Sequence, residues 1–321
     1  MHRLLIAAMP VVIAFSAVAL AEADLSSQTG TPRASVSPAW WPHWRGPSQN
    51  GVAPGDAPVQ WSDTSNVAWK VAIPGRGHSS PIIWGDRIFL TTAIPTGRRT
   101  EPASNGGGRG RGRFGGDGGS GANEEHRFEV MALDRATGTV IWQRTATTAT
   151  PHEGYHQQYG SFASYSPTTD GQRVYASFGS RGLFAFDMNG APIWQKDYGL
   201  KMRMFNGFGE AVEPVLDDGH LIVLYDHEDE GLLAMLDAAT GREIWRTPRT
   251  DGTNWASPVV VKHGGRKQIV VDSARKVRGY DYETGKQIWE VAGLGQNTIP
   301  RPVQYQDLVL SMSGMRSRDF R

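Results

Sequence analysis

ALDRATGTVIW (132–142) runs a short aliphatic stretch into Asp134, turns through Thr137 and Gly138, and climbs to Trp142. The phrase returns as FAFDMNGAPIW (184–194), AMLDAATGREIW (234–245) and RGYDYETGKQIW (278–289). An Asp at the start of a turn accepts hydrogen bonds from amides two or three residues on, and Gly supplies the positive φ that closes a hairpin. Three copies set the Gly four residues after the Asp (Asp134/Gly138, Asp237/Gly241, Asp281/Gly285), while the copy from Asp187 shortens the turn to Asn189-Gly190. Each copy reads as strand, tight turn, strand. Trp142, Trp194, Trp245 and Trp289 then fall at one place on the second strand, where a large ring packs against a neighbouring copy.

A second repeated element precedes each hairpin: SSPIIWGDRIFL (79–90), YSPTTDGQRVYASFG (165–179), EPVLDDGHLIVLYD (213–226) and SPVVVKHGGRKQIVV (257–271), with a fifth, RPVQYQDLVLSMSG, from Arg301. Proline opens a strand but does not sit inside its ladder, and the Gly/Asp pairs that follow mark another hairpin. Each repeat therefore predicts four short strands. The Trp positions lie 52, 51 and 44 residues apart, a spacing that fits a propeller blade and neither a βαβ unit nor a helical repeat. Two linked motifs recurring in register also argue against a β-sandwich with coincidental tryptophans. The expected fold is all-β: a β-propeller of four-stranded antiparallel blades, with about four or five blades visible.

The 321 residues, 39% hydrophobic with a formal charge of +1, suffice for a sizeable core and carry no global charge that would recruit nucleic acid. The N-terminus places His2 and Arg3 before an apolar run, Leu4 to Leu20, ending in Ala19-Leu20-Ala21. Residues 1–23 read as a signal peptide, 24–39 as a disordered polar spacer, and 40–321 as the propeller. Localisation is expected to be periplasmic or extracellular, with no transmembrane segment after signal cleavage. The absence of Cys removes disulfides, zinc–thiolate sites, c-type haem attachment, thiol nucleophiles and a lipobox. Residues 97–125 are rich in Gly and Arg and read as a disordered loop inserted in the first blade. Their Arg-Gly pairs suit single-stranded nucleic acid, a reading that export disfavours.

With WPHWRGPSQNGVAP (41–54), VYASFGSRGLFAFDMNGAPIWQ (174–195) and LDAATGREIWRT (236–247) in view, the chain resembles the exported PQQ-like (pyrroloquinoline quinone repeat) β-propeller proteins of bacteria, related to BamB-like and quinoprotein dehydrogenase-like propellers. The resemblance runs from about Trp40 to the C-terminus, outside the Gly/Arg segment. It implies that the Asp-to-Trp hairpins are docking motifs, hence structural. It also implies about seven or eight blades, so the visible repeats are expected to form an incomplete ring. NVAWKVAIPG around Trp69 reads as an orphan outer strand of such a hairpin, and the fifth repeat stops before any Asp-turn-Trp hairpin. PQQ and Ca²⁺ enter by resemblance only, and no positions can be matched to a calcium set.

Three polar gatherings remain. DHEDEG (226–231) offers Asp226, His227, Glu228 and Asp229, an oxygen-rich loop with an imidazole that is a weak metal candidate and matches no EF-hand or zinc spacing. The segment 151–167 brings His152, Glu153, Tyr155, His156 and Tyr159 into a connection entering a blade, where ligands of propellers gather and imidazoles serve as ligands or acid–base groups. Trp255, with Asn254 and Arg249, suggests an aromatic platform beside a cation. No nucleophile elbow, P-loop or dinucleotide fingerprint stands in a suitable context. The expected function is a non-catalytic binding or scaffold module engaging an envelope protein or peptide. The alternatives are a PQQ-dependent oxidoreductase and a metal-assisted hydrolase using His152 and His156.

Overall fold

The Asp-to-Trp stretches form the outer hairpins of four antiparallel sheets. The computed structural model describes residues 40–53, 55, 57–100 and 122–313, all within one compact unit. The first sheet joins β1 (Ile82–Trp84), β2 (Arg87–Arg99), β3 (Glu124–Asp134) and β4 (Val140–Ala149) in that order. The second joins β5 (Thr168–Thr169), β6 (Arg173–Ser177), β7 (Leu183–Asp187) and β8 (Pro192–Lys196). The third joins β9 (Val215–Asp217), β10 (His220–Tyr225), β11 (Gly231–Asp237) and β12 (Glu243–Arg249), and the fourth β13 (Val259–His263), β14 (Arg266–Ser273), β15 (Lys276–Asp281) and β16 (Gln287–Ala292). A two-stranded hairpin, β17 (Val303–Tyr305) and β18 (Leu308–Leu310), follows.

The first strands of successive sheets touch one another, β1 with β5 and β5 with β9, and so lie innermost. The two middle strands are buried nearly throughout, as in Leu221–Tyr225 and Leu232–Leu236, whereas the outermost strand alternates half-buried and exposed positions. The largest apolar cluster runs across the second, third and fourth sheets, from Tyr175 and Leu183 through Ile222 and Leu233 to Val271 and Tyr280.

The docking geometry is the same at each blade junction. Trp142 Nε1 donates to the Met188 carbonyl (2.9 Å), Trp194 to Ala238 (3.0 Å) and Trp245 to Tyr282 (3.0 Å). Every acceptor is the residue after the turn Asp of the next blade. Each ring also lies on the Gly of that turn: a Cβ on Gly190 would stand 2.7 Å from Trp142, one on Gly241 2.7 Å from Trp194, and one on Gly285 would press into the Trp245 ring. Only glycine admits that approach, and its positive φ, +84°, +70° and +68° at the three positions, closes the turn. The turn Asp is held as expected, Asp237 Oδ1 accepting from the Thr240 amide (2.8 Å) and hydroxyl (2.6 Å) and Asp281 Oδ1 from those of Thr284 (2.9 and 2.7 Å). Asp187 Oδ1 caps its shorter turn through the amides of Asn189 and Ala191, at 2.8 Å each.

Trp69 plays the same part, donating to the Arg135 carbonyl (2.9 Å) with its ring against Gly138, although its segment joins no sheet. The fourth hairpin departs from the expectation that Asp281, Gly285 and Trp289 dock together. Gly285 docks, but only as a receiver: it is buried beneath the Trp245 ring of the preceding blade, and its carbonyl accepts from the Thr247 hydroxyl (2.7 Å). Trp289 does not dock onto a following turn. Its Nε1 bonds Gln268 Oε1 (2.7 Å) and its ring folds onto Gly279 of its own sheet. Among the described residues no Asp–Gly turn follows Trp289, and its indole satisfies its donor within its own blade.

A β-bulge precedes the Trp of each of the four hairpins. Ala132 pairs with Trp142 and Leu133 with Val140, leaving Ile141 unpaired, and the same skip leaves out Ile193, Ile244 and Ile288. A bulge adds local twist and re-aims the next side chain, and at Trp142, Trp194 and Trp245 the indole meets the next blade while the skipped Ile faces solvent.

Residues 1–39, read as signal peptide and spacer, lie outside the described residues, as does most of the Gly/Arg segment. The boundaries of that segment differ from expectation. β2 continues to Arg99 and β3 begins at Glu124, these two residues pair, and the Thr100 amide bonds the Asn123 carbonyl (2.9 Å), so the ladder takes in both ends of the 97–125 stretch. Among the described residues no backbone hydrogen bond joins residues 66–73 to β17 or β18, and no sheet closes on itself.

Candidate functional site

Antiparallel order sends the Asp-to-Trp turns to one end of the blades and the blade-to-blade connections, with the turns between middle strands, to the other. All three polar gatherings foreseen from the sequence therefore arrive at one face. There the connections 150–167, 197–214, 250–258 and 293–302 surround a cavity of about 750 Å³.

Its wall is aromatic. Tyr159 stacks on His156 (centroids 4.8 Å apart, planes at 22°), His156 meets Phe208 edge-on at 4.9 Å, and Phe208 lies 6.5 Å from Trp255. Phe205 and Phe208 flank Asn206-Gly207, whose positive φ values of 55° and 65° make a tight turn that brings both rings to the cavity. The Trp255 indole is fixed by Nε1 to the Gly209 carbonyl (2.8 Å). His156 Nδ1 accepts from the amides of Gln158 and Tyr159 at 3.3 and 3.2 Å. Trp44 and His78 complete the wall. Partial burial and the nearby Arg76 hold the His78 imidazole below its ordinary pKa.

Two carboxylates line the cavity. Glu210 accepts from the Ser180 amide and hydroxyl (2.7 Å each) and pairs with Arg181 at 2.7 Å. Glu213 is hydrogen-bonded by the Ser257 hydroxyl and lies 3.5 Å from Arg301, whose other arm reaches Gln49. Burial pushes the Glu213 carboxyl above the usual range, while Arg301 opposes that shift.

Of the residues singled out from the sequence, His156, Tyr159 and Trp255 line this cavity. His152 donates from Nε2 to the Met202 carbonyl (2.9 Å), and burial lowers its pKa. Tyr155 packs edge-on against Phe162 at 4.7 Å beneath Arg76. Arg249 does not stand beside Trp255 as a platform cation. It is buried in a bidentate pair with Asp226 (2.6 and 2.8 Å), its guanidinium over the Tyr280 ring.

That pair also occupies the first residue of the acidic loop, which is the turn between β10 and β11. Glu228 accepts from the Thr253 hydroxyl (2.6 Å), Asp229 pairs with Arg203 (2.7 Å), and His227 bonds the Glu230 carbonyl (3.1 Å). Among the described residues no three His, Asp or Glu side chains are placed to hold a metal ion. Trp44, Phe205, Phe208, Glu210 and Glu213 were not foreseen. All but Glu213, which opens a repeated element, stand in segments without a repeated motif, and Asn206-Gly207 between two Phe was the one local signal.

The family described as outer membrane protein assembly factor BamB matches residues 52–196 and 183–312. The chain belongs to this PQQ-like propeller family. Among solved structures, BamB from Moraxella catarrhalis is 19% identical with a TM-score of 0.37, over 58% of this chain and 51% of that one. A quinohemoprotein alcohol dehydrogenase from Pseudomonas putida is 13% identical (TM-score 0.42), over 70% of this chain and 35% of the other. Its counterpart from Comamonas testosteroni is 11% identical (TM-score 0.42), over 74% and 39%. The chain thus spans about half, or less, of the length of these structures. No curated protein matches it significantly.

The family raises the question of a bound quinone. PQQ is a tricarboxylate, and a site for it supplies cations to those carboxylates. Among the described residues the cavity is lined by no Lys or Arg, and its only charged side chains are Glu210 and Glu213. The lining does not fit PQQ.

Proposed function

We propose that the chain is an exported, non-catalytic propeller that binds a protein or peptide partner of the cell envelope, with the aromatic cavity as its recognition site. The observation that carries this reading is the cavity itself. Its volume lies in the range of ligand sites, it is walled by rings from separate connections, and a few polar groups interrupt an otherwise apolar lining. Three of the acid–base groups foreseen from the sequence are spent on structure, His152 on a carbonyl, Asp226 on Arg249 and Glu228 on Thr253, while His156 stands in the cavity wall. The family's description as an assembly factor agrees with partner binding, and the apolar run of residues 4–20 supports export.

A photo-crosslinking residue in place of Tyr159, which is 71% exposed at the rim, tests the reading in envelope extract. The expected adduct persists when Glu283→Ala alters the opposite end and is lost with Trp255→Leu, whose folding is checked by circular dichroism. Equal adduct yields from the two variants would refute the assignment. So would saturable, chelator-sensitive alcohol oxidation after incubation with PQQ and Ca²⁺.

A further inference from the structure

We infer that the cavity selects organic cations: an ammonium or guanidinium group carried on an apolar stem. The inference rests on the cavity being the recognition site and adds the chemistry of the guest. Tyr159, His156, Phe208 and Trp255 follow one another at ring separations of 4.8, 4.9 and 6.5 Å, forming one continuous wall. Aromatic faces carry the negative part of the ring quadrupole and attract cations. The Trp255 indole N–H is already spent on the Gly209 carbonyl, so that side chain offers its ring and no donor.

Formal charge does not oppose this. The charged side chains lining the cavity are Glu210 and Glu213, and among the described residues neither Lys nor Arg lines it. Their counter-ions, Arg181 and Arg301, are themselves buried and contribute nothing to the lining. Of the lining imidazoles, His78 is held toward its neutral form by partial burial and by Arg76. Glu210 and Glu213 are each balanced by a buried Arg, so the aromatic faces carry the selection: a cation gains from them, while a neutral group or an anion does not.

Calorimetric titration of the whole chain provides the test. One arm uses benzyltrimethylammonium, its uncharged isostere neopentylbenzene, and phenylacetate. The other uses the capped peptide Phe-Arg-Phe and its citrulline counterpart, which keeps the shape of arginine without the charge. The cationic member of each set is expected to bind about tenfold tighter than its neutral isostere, with phenylacetate weaker still, and Trp255→Leu or Glu213→Gln should erode the preference. Binding of the ammonium alone assigns the site to a small organic cation, and binding of the arginine peptide alone to a partner's side chain. Equal affinity for citrulline and arginine, and for the hydrocarbon and the ammonium, would overturn the charge selection and leave the cavity as a recognition site. An adduct at Tyr159 with no binding of either cation would overturn the inference while the partner-binding reading stands.

Discussion

Trp142→Ala should be among the costliest single changes in the fold. The ring is 5% exposed, so nearly all of the roughly 150–250 Å² that a Trp buries is removed from water. At about 25 cal/mol per Å² this is roughly 4–6 kcal/mol before subtracting what the Ala methyl retains. The hydrogen bond to the Met188 carbonyl, 2.9 Å, adds about 1 kcal/mol. Partial collapse around Phe89 and Phe186, whose rings lie 5.9 and 6.4 Å away, recovers some of the loss, giving an expected cost of about 4 kcal/mol. Trp245, with its bond to Tyr282 at 3.0 Å, should fall in the same range of about 3–5 kcal/mol. Trp289 rests on its own sheet and bonds a side chain, Gln268, so Trp289→Ala should cost roughly half as much. Urea melts followed by far-ultraviolet circular dichroism measure all three. If Trp289→Ala proved as damaging as Trp142→Ala, docking onto the next blade's turn would not be what these indoles contribute.

Gly241→Ala places a methyl 2.7 Å from the Trp194 ring at φ +70°, and should cost about 2 kcal/mol more than Gly199→Ala, where φ is +68° with open space around it; paired thermal melts separate the clash from the backbone strain common to both. The Thr137, Thr240 and Thr284 hydrogen bonds hold Asp134, Asp237 and Asp281 below the usual carboxylate range. A depressed folded pKa gives stability that is present above the unfolded value, about 4, and lost as pH falls through the folded one. The triple Thr→Ala variant should therefore lose its deficit relative to wild type in melts taken below about pH 4. Asp272 behaves oppositely, because burial raises it to about 7, so stability should fall as pH rises from about 4 to 7. Asp272→Asn should remove that slope in a pH series of urea melts. Replacing residues 101–121 by a short Gly-Ser turn should leave the melting temperature unchanged, since Arg99 already pairs with Glu124 and loop length adds closure entropy only slowly.

The blade was legible in the sequence because its rule is local: an Asp that caps a turn, a Gly with positive φ and a Trp at a fixed distance beyond. Which turn a given indole meets was not, since Gly285 belongs by sequence with Trp289 yet lies under Trp245. The bulge at Ile141, Ile193, Ile244 and Ile288 was equally hidden. Each Ile simply continues an apolar strand in the sequence, and only pairing with the neighbouring strand shows that it is skipped. The acidic loop misled for a tertiary reason. Asp226 looks available in DHEDEG, but Arg249 comes from a strand end 23 residues away to neutralise it. The cavity was half legible: His156, Tyr159 and Trp255 were marked as polar or aromatic oddities, whereas Phe205, Phe208 and Glu213 became neighbours only when separate blade connections converged.

The forward reach of the indoles also sets an order of events during synthesis. Trp142, Trp194 and Trp245 each bond a carbonyl 46, 44 and 37 residues downstream. At roughly 5–20 residues per second the ribosome needs about 2–9 s to deliver that acceptor, whereas a hairpin closes in about 1–10 μs. The chain therefore delivers each docking partner in order, each indole preceding by 37 to 46 residues the turn that receives it, so a blade whose hairpins have closed presents a ring ready for the blade that follows.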